Sequence, residues 1–286
     1  MTTRIEALTS LSDFGFDDDA TDSNDCAVRE VLDTPRITVF AETPLSANEA
    51  RTLESRVTRA AAYGDSLQHW DDDAKWKEKL NVTLLSDRCM SGLTGAPANE
   101  VPGMTTGPDD IFLRRASLRA SSARDSEVLA HELVHVEDWR MAGRSEPEIP
   151  LYLKEGKAYV VGLRYGNERA RNAQVRRDLS YLSASDARWV MQQFRDSHPS
   201  GNPNASYVGE ITGALFVEWL EAHVKKGALT KLGNAVERAG EGQDFAAAFK
   251  KQFGVSLAKC ENDFVAFVAK TERNPPARFA GTIFSA

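Results

Sequence analysis

The amino-acid sequence predicts an α+β fold, in which a small β-sheet and one long histidine-bearing helix precede an all-helical half. Short segments with strand-like apolar patterns occur only before residue 119. The segments after Pro150 instead have the apolar spacing of amphipathic helices. We therefore expect an acidic N-terminal extension at 1–36, an α/β subdomain at 37–143 and a helical subdomain at 144–286.

The first half alternates strand and helix patterns. The aspartate-rich stretch "DFGFDDDATDSND" indicates a solvated or loosely docked extension. The elements expected after it are a strand at 36–43, a serine-capped helix at 46–70, a strand at 79–87, a Gly/Pro-rich loop at 92–110 and a strand at 110–118. We expect the strand at 110–118 to form the sheet edge beside the functional site.

The second half contains segments with helical patterns, separated by Gly, Pro or Asn. These segments are "LYLKEGKAYVVGLRYG", "SDARWVMQQFRD", "SYVGEITGALFVEWLEAHVKKG", "ALTKLGNAVERAG", "QDFAAAFKKQFG" and "LAKCENDFVAFVAKT". The histidine helix lies at the junction of the two halves, and clefts at such junctions are common ligand sites.

Composition limits the classes of partner. The chain has 286 residues, a net charge of −7 and 42% hydrophobic residues, so it can bury a sizeable core but lacks the basic surface of a nucleic-acid binder. No apolar run approaches the roughly 20 residues of a membrane span. The first 26 residues have no apolar signal-peptide segment. The compartment stays open, with a secreted or periplasmic location slightly favoured over a cytoplasmic one.

The cysteines Cys26, Cys89 and Cys260 are too few and too scattered for a structural zinc cluster. A single Cys26–Cys89 disulfide in an oxidising compartment and buried free thiols are both compatible with this spacing.

The stretch "VLAHELVHVEDW" contains an H-E-x-x-H motif at residues 131–135. His131 and His135 lie on one face of a helix and can bind one ion, while Glu132 points to its side. Glu155, after a spacer of 19 residues, is the best third ligand. Such a His₂Glu site leaves the fourth zinc position vacant, as hydrolysis requires. Gly156 is expected to let its helix approach the histidine helix closely.

Two acidic residues closely follow the motif on the histidine helix. Glu137, two residues after His135, is predicted to face away from the ion. Asp138, three residues after His135, lies on the metal-binding face. It either orients a histidine or is an ordinary surface aspartate.

Glu132 is the predicted general base. It is placed to accept a proton from water activated by the ion and to pass that proton to the leaving amine. The developing oxyanion also needs a hydrogen-bond donor. Tyr207 is the candidate, with His198 or His223 as weaker ones, and a core tyrosine is the alternative interpretation of Tyr207.

The segments "HELVH", "YLKEGKA", "SYVGEITGALFVEWL" and "AAFKKQFGVSLAKCENDFVAFV" resemble the peptidase MA-like group of gluzincin metallopeptidases, over about residues 80–270. The resemblance implies a thermolysin-like arrangement, with a mixed sheet whose edge strand binds extended peptide. It also implies one zinc ion held by His131, His135 and Glu155, with Glu132 as the base and Tyr207 as a transition-state tyrosine.

The chain departs from that pattern at two positions. Tyr159 stands where thermolysin-type enzymes have an acidic residue that supports a ligand. Lys157 is charged where small or apolar residues are usual.

The sequence is therefore compatible with three functions. The first is a zinc-dependent metallopeptidase that acts on a peptide or protein substrate. The alternative is a catalytically weak or inactive zinc-containing binding protein on a peptidase scaffold. A helical interaction module without metal is the third.

Overall fold

A computed structural model describes residues 26–68, 78–97, 101–116, 123–143, 149–166, 182–195 and 203–272, without the side chains of residues 65, 68, 123–126, 166 and 203–207. The strands are β1 (Arg29–Asp33), β2 (Ile37–Ala41), β3 (Leu80–Leu85), β4 (Gly103–Thr105) and β5 (Asp110–Arg114). The helices are α1 (Ala47–Gln68), α2 (Asp87–Thr94), α3 (Ala123–Met141), α4 (Leu151–Gly166), α5 (Ala184–Gln193), α6 (Pro203–Trp219), α7 (Ala228–Gly240), α8 (Phe245–Phe253) and α9 (Leu257–Glu272).

The strands form one mixed sheet in the order β1-β2-β3-β5-β4. β2, β3 and β5 are parallel, and the outer strands β1 and β4 pair antiparallel. The parallel strands are rich in Val, Ile and Leu because their side chains are buried, as Val39 and Val82 are. Leu53 and Val57 of α1 and Leu133 of α3 belong to the same apolar cluster. The sheet therefore supports the histidine helix.

The structure corrects the predicted strand order. The strand predicted at 110–118 is β5, which lies between β3 and β4 and is not the edge. The edge strand on this side of the sheet is β4, within the segment predicted to be only loop. It has three residues, one of them glycine, and is too short to produce an alternating pattern. α2 and β1 were also missed, and β1 lies within the segment predicted as an extension.

A disulfide joins Cys26 to Cys89, so one of the two compatible cysteine states is the one observed. The bridge ties the segment before β1 to α2, beside the buried side chains of Val28, Met90 and Phe112. Cys260, in contrast, is a buried free thiol.

The six predicted helical segments form α4–α9, and the third continues into a π-helical turn at Leu220–Val224. Their shared core contains Tyr152, Phe194, Phe216 and Phe264, each less than 2% exposed. No helix in the described ranges has the length and apolarity needed to cross a membrane.

Gly156 brings α4 close to α6, and the expectation that it contacts α3 is wrong. A Cβ at Gly156 would lie 2.5 Å from the Cα of Gly213. Consecutive helical residues point about 100° apart, so when Glu155 faces α3 its neighbour must face another helix. The glycine of α4 that lies against α3 is Gly162, where a Cβ would lie 2.8 Å from the carbonyl oxygen of Glu127.

The glycine crossing between α4 and α6 predicts a strong cost for one methyl group. A Cβ at Gly213 would lie 1.8 Å from the carbonyl oxygen of Tyr152. Gly213→Ala should therefore lower the free energy of unfolding by about 1–3 kcal/mol. Chemical denaturation measures it. The control is Gly92→Ala in α2. A Cβ at Gly92 would have no atom of the described residues within 4 Å, so alanine there should raise the free energy of unfolding by about 0.5–1 kcal/mol. Equal effects of the two changes would contradict the crossing.

Candidate metal centre

Three predicted ligands converge between α3 and α4. The Nε2 atoms of His131 and His135 lie 3.1 Å apart, and each lies 3.3 Å from Oε2 of Glu155. One turn of α3 places the two imidazoles side by side, and the packing of α4 on α3 adds the carboxylate. The three residues form a group that could hold a metal ion.

The spacing of the three atoms suits a tetrahedral ion. Ligand atoms about 2.0–2.1 Å from a tetrahedral zinc ion lie roughly 3.3 Å from one another. The observed separations of 3.1–3.3 Å match this value. The ligand side chains are only 8–17% exposed, so the site lies in a partly dry environment where charges interact strongly.

The site places the His131 imidazole close to several carboxylates, and their interactions shift the pKa of His131 and that of Glu155. Burial lowers the pKa of His131, but its hydrogen bond to Glu155 and the charges of Glu132, Glu155 and Glu210 outweigh burial and raise the pKa to about 9. Burial raises the pKa of Glu155, but His135 and His131 outweigh it and hold the pKa well below its usual value. In the metal-free protein at neutral pH, an imidazolium is thus paired with the carboxylate.

Glu132 is buried, at 6% exposure, and is held by the edge strand. The hydroxyl of Thr105 donates to Oε2 of Glu132 at 2.9 Å and to its backbone carbonyl oxygen at 3.0 Å. Gly103 allows this approach, because a Cβ there would lie 2.8 Å from Val128 and 3.0 Å from Cγ of Glu132. Neither Gly103 nor Thr105 was predicted from the sequence to contact the site.

Glu210, on α6, is a further acidic group that the sequence analysis missed. Burial raises its pKa to about 7, and the charges of Glu155 and Glu132 add to that rise while His131 opposes it. Glu210 is therefore electrostatically part of the site, although it is not in the group of three candidate ligands. Its signal in the sequence is an acid within the largely apolar stretch "SYVGEITGALF".

Of the three candidate oxyanion donors, the structure describes the side chain of His223 alone. Tyr207 lies within α6, but its side chain is outside the described residues, so its role stays a prediction. His198 is also outside the described residues. The ring of His223 packs against Trp219 and Phe267, with centroids 5.8 and 5.1 Å apart, on an exposed part of the helical half.

The charged residues that follow the motif are buried. Glu137 lies beside α1, where its Oε1 would be 2.8 Å from a Cβ at Gly64. Asp138 is 0% exposed, which excludes an ordinary surface aspartate, and forms an ion pair with Lys157. Tyr159 is also buried, at 8% exposure.

Part of the chain matches the model of a known family. Residues 96–143, which are 48 of the 286, match the family model of the eCIS core domain. That domain family is associated with a zinc-metallopeptidase-like core. The match covers β4, β5 and α3, including the H-E-x-x-H motif, but ends before Glu155. A comparison with curated proteins finds no match.

The raised pKa of His131 predicts that zinc displaces a proton. A pKa of about 9, above the ordinary 6.5, means that His131 stabilises the metal-free fold below pH 6.5 and loses this contribution as pH rises through about 9. At pH 7 its Nε2 must release the proton before it can bind an ion. Titration calorimetry in buffers of different ionisation enthalpy should give about one proton per zinc ion. A binding heat that is independent of the buffer would contradict this.

Proposed function

We propose that the protein is a zinc-dependent metallopeptidase that hydrolyses peptide bonds in a peptide or protein substrate. One observation carries the proposal. Three ligand atoms lie 3.1–3.3 Å apart, and the buried carboxylate of Glu132 occupies the adjacent position in the helix. A structural site needs no such carboxylate, whereas hydrolysis needs a base beside a vacant coordination position.

Zinc is the proposed ion, with His131, His135 and Glu155 as its ligands. Two imidazole nitrogens and one carboxylate oxygen are a common zinc ligand set, and their spacing fits tetrahedral geometry. When bound, the ion would supply Lewis acidity, which activates water and polarises the carbonyl of the scissile bond.

Glu132 is the proposed proton carrier. Its Oε2 accepts the hydroxyl of Thr105, which leaves Oε1 to accept a proton from the attacking water. The same oxygen then donates the proton to the amine that leaves. Thr105 limits the rotation of the carboxylate, so the base is held in place before the substrate binds.

The edge of β4 supports a peptide as the substrate. The carbonyl oxygen of Pro102 and the amide of Thr106 bond to β5, so in an antiparallel ladder the backbone groups of Gly103 and Thr105 point the other way. That side of β4 has no strand partner among the described strands. An extended peptide could add there as a further strand, close to Glu132.

The family comparison and the motif resemblance point in the same direction. The eCIS core match contains the edge strand and the motif helix, which are the two elements that hold Glu132. A thermolysin-like arrangement of the whole chain remains part of this proposal.

Glu132→Gln tests the base. The amide keeps the size of the side chain but cannot accept the proton, so peptide hydrolysis should fall by about 100- to 10,000-fold. Zinc content, measured by elemental analysis, should not change because the three ligands are intact. Glu241→Gln, which changes an exposed carboxylate after α7, is the matched control.

The same experiment separates peptidase from binding protein. A parent protein that holds one zinc ion and binds peptides without cleaving them would support the zinc-containing binding protein. Equal cleavage by the parent and by Glu132→Gln would refute the proton-transfer role.

Thr105→Val tests the hydrogen bond that holds the base. Valine has nearly the same shape but no hydroxyl, so Glu132 loses a buried donor, and kcat/KM should fall about tenfold at unchanged zinc content. Thr105→Ser, which keeps the hydroxyl, should stay close to the parent. If the valine and serine variants were equally active, this hydrogen bond would have no part in positioning the base.

A further inference from the structure

A buried ion pair links the two helices that carry the metal ligands. Asp138, on α3, is 0% exposed, and Lys157, on α4, is 1% exposed. Asp138 follows His135 by three residues, and Lys157 follows Glu155 by two. Both sides of the pair are therefore attached within about one helical turn of a ligand.

Burial of this ion pair costs desolvation free energy, so packing alone does not explain why two charged residues lie here. Removing two charges from water costs free energy that their attraction often does not recover, and apolar residues of similar size are frequently as stable. The described part of the chain has other ion pairs between helices, such as Arg164–Glu218, but their side chains are more exposed. The charge at Asp138 and Lys157 is thus suited to a role beyond packing.

Two unpaired atoms point to that role. Oδ2 of Asp138 and Nδ1 of His135 are both buried, and neither has a hydrogen-bond partner within the part of the chain that the structure describes. The residues lie three positions apart on neighbouring parts of the α3 surface. Because Nε2 of His135 is the atom that faces His131 and Glu155, a neutral imidazole that binds an ion through Nε2 carries its proton on Nδ1. That N–H needs an acceptor.

We propose that Asp138 and Lys157 form a positioning pair for the metal centre. Lys157 holds Oδ1 of Asp138 and so fixes α4 against α3, and Oδ2 of Asp138 accepts the Nδ1–H of His135 by a side-chain adjustment when an ion binds. The pair thereby sets the orientation of His135 and the position of Glu155, although neither member contacts the ion. This inference rests on the metal site of the proposed function but not on peptide hydrolysis.

The chain's departures from the gluzincin pattern fit this arrangement. Tyr159 stands at the position where an acidic residue was expected to support a ligand, and Lys157 was the unexpected charge. Here the supporting carboxylate comes from the histidine helix itself, and the lysine is the partner that holds it in the interior.

The test separates metal binding from stability. Asp138→Asn alone removes the negative charge that faces the buried ammonium of Lys157, so it is expected to lower stability as well as metal affinity. The double variant Asp138→Leu/Lys157→Met replaces both charges with apolar groups and should keep the denaturation midpoint of the parent. Its zinc affinity, measured by competition with a chelator, should fall 10- to 100-fold, roughly as for other supporting residues.

The control is a second interhelical pair that does not lie beside the ligands. Arg164→Met/Glu218→Leu removes an ion pair between α4 and α6 and should leave zinc affinity unchanged. Zinc affinity at the level of the parent in Asp138→Leu/Lys157→Met would overturn the proposal and leave the pair a structural one. Equal losses of affinity in both double variants would overturn it as well.

A measurement on the parent protein covers the case in which the double variant does not fold. Nitrogen-detected NMR of the zinc-loaded, histidine-labelled protein should show His135 with a proton on Nδ1 that exchanges slowly with water. An unprotonated Nδ1, or a proton that exchanges rapidly, would overturn the hydrogen bond. Zinc affinity and the protonation of His135 can both be measured without peptide hydrolysis. The positioning pair can therefore be tested even if the protein proves not to be a peptidase.

Discussion

The packing of α3 against α4 is the constraint on which the site depends. Two ligand atoms come from one helix and one from the other, and a displacement of about 1 Å between the helices would spoil tetrahedral spacing. Two contacts fix this packing, the close approach of Gly162 to Glu127 and the Asp138–Lys157 ion pair. The candidate metal centre is therefore a property of an interface between helices and not of the motif alone.

Each ligand helix is held by a different part of the fold. α3 rests on the sheet through Leu133, and β4 approaches its motif closely enough for Thr105 to hold Glu132. α4 is embedded in the helical core and pressed against α6 by the glycine crossing. The two halves thus meet at the candidate ligands, where each half supplies part of the set.

The features that could be predicted from the sequence are those that depend on local geometry. The helical repeat alone places His131 and His135 together, and the regular segments gave α1, α3, α4 and the helices after them. Glu155 was found because carboxylates are frequent third ligands. The residues that were missed depend on contacts between distant segments. Thr105 lies on a strand too short to show a pattern, Glu210 comes from a third helix, and Gly156 was assigned to the wrong neighbour.

The disulfide between Cys26 and Cys89 has a consequence for the far edge of the sheet. β1 covers the outer side of β2, whose side chains are largely buried, and the bridge fastens the chain just before β1 to α2. An uncovered strand of this kind is a template for pairing with other molecules. Reduction of the bridge would leave β1 held only by non-covalent contacts, namely its pairing with β2 and the packing of Val31 and Leu32, and its transient release would expose β2. The covalent bond therefore limits how far β1 can separate from the sheet and leave β2 as an unpaired edge.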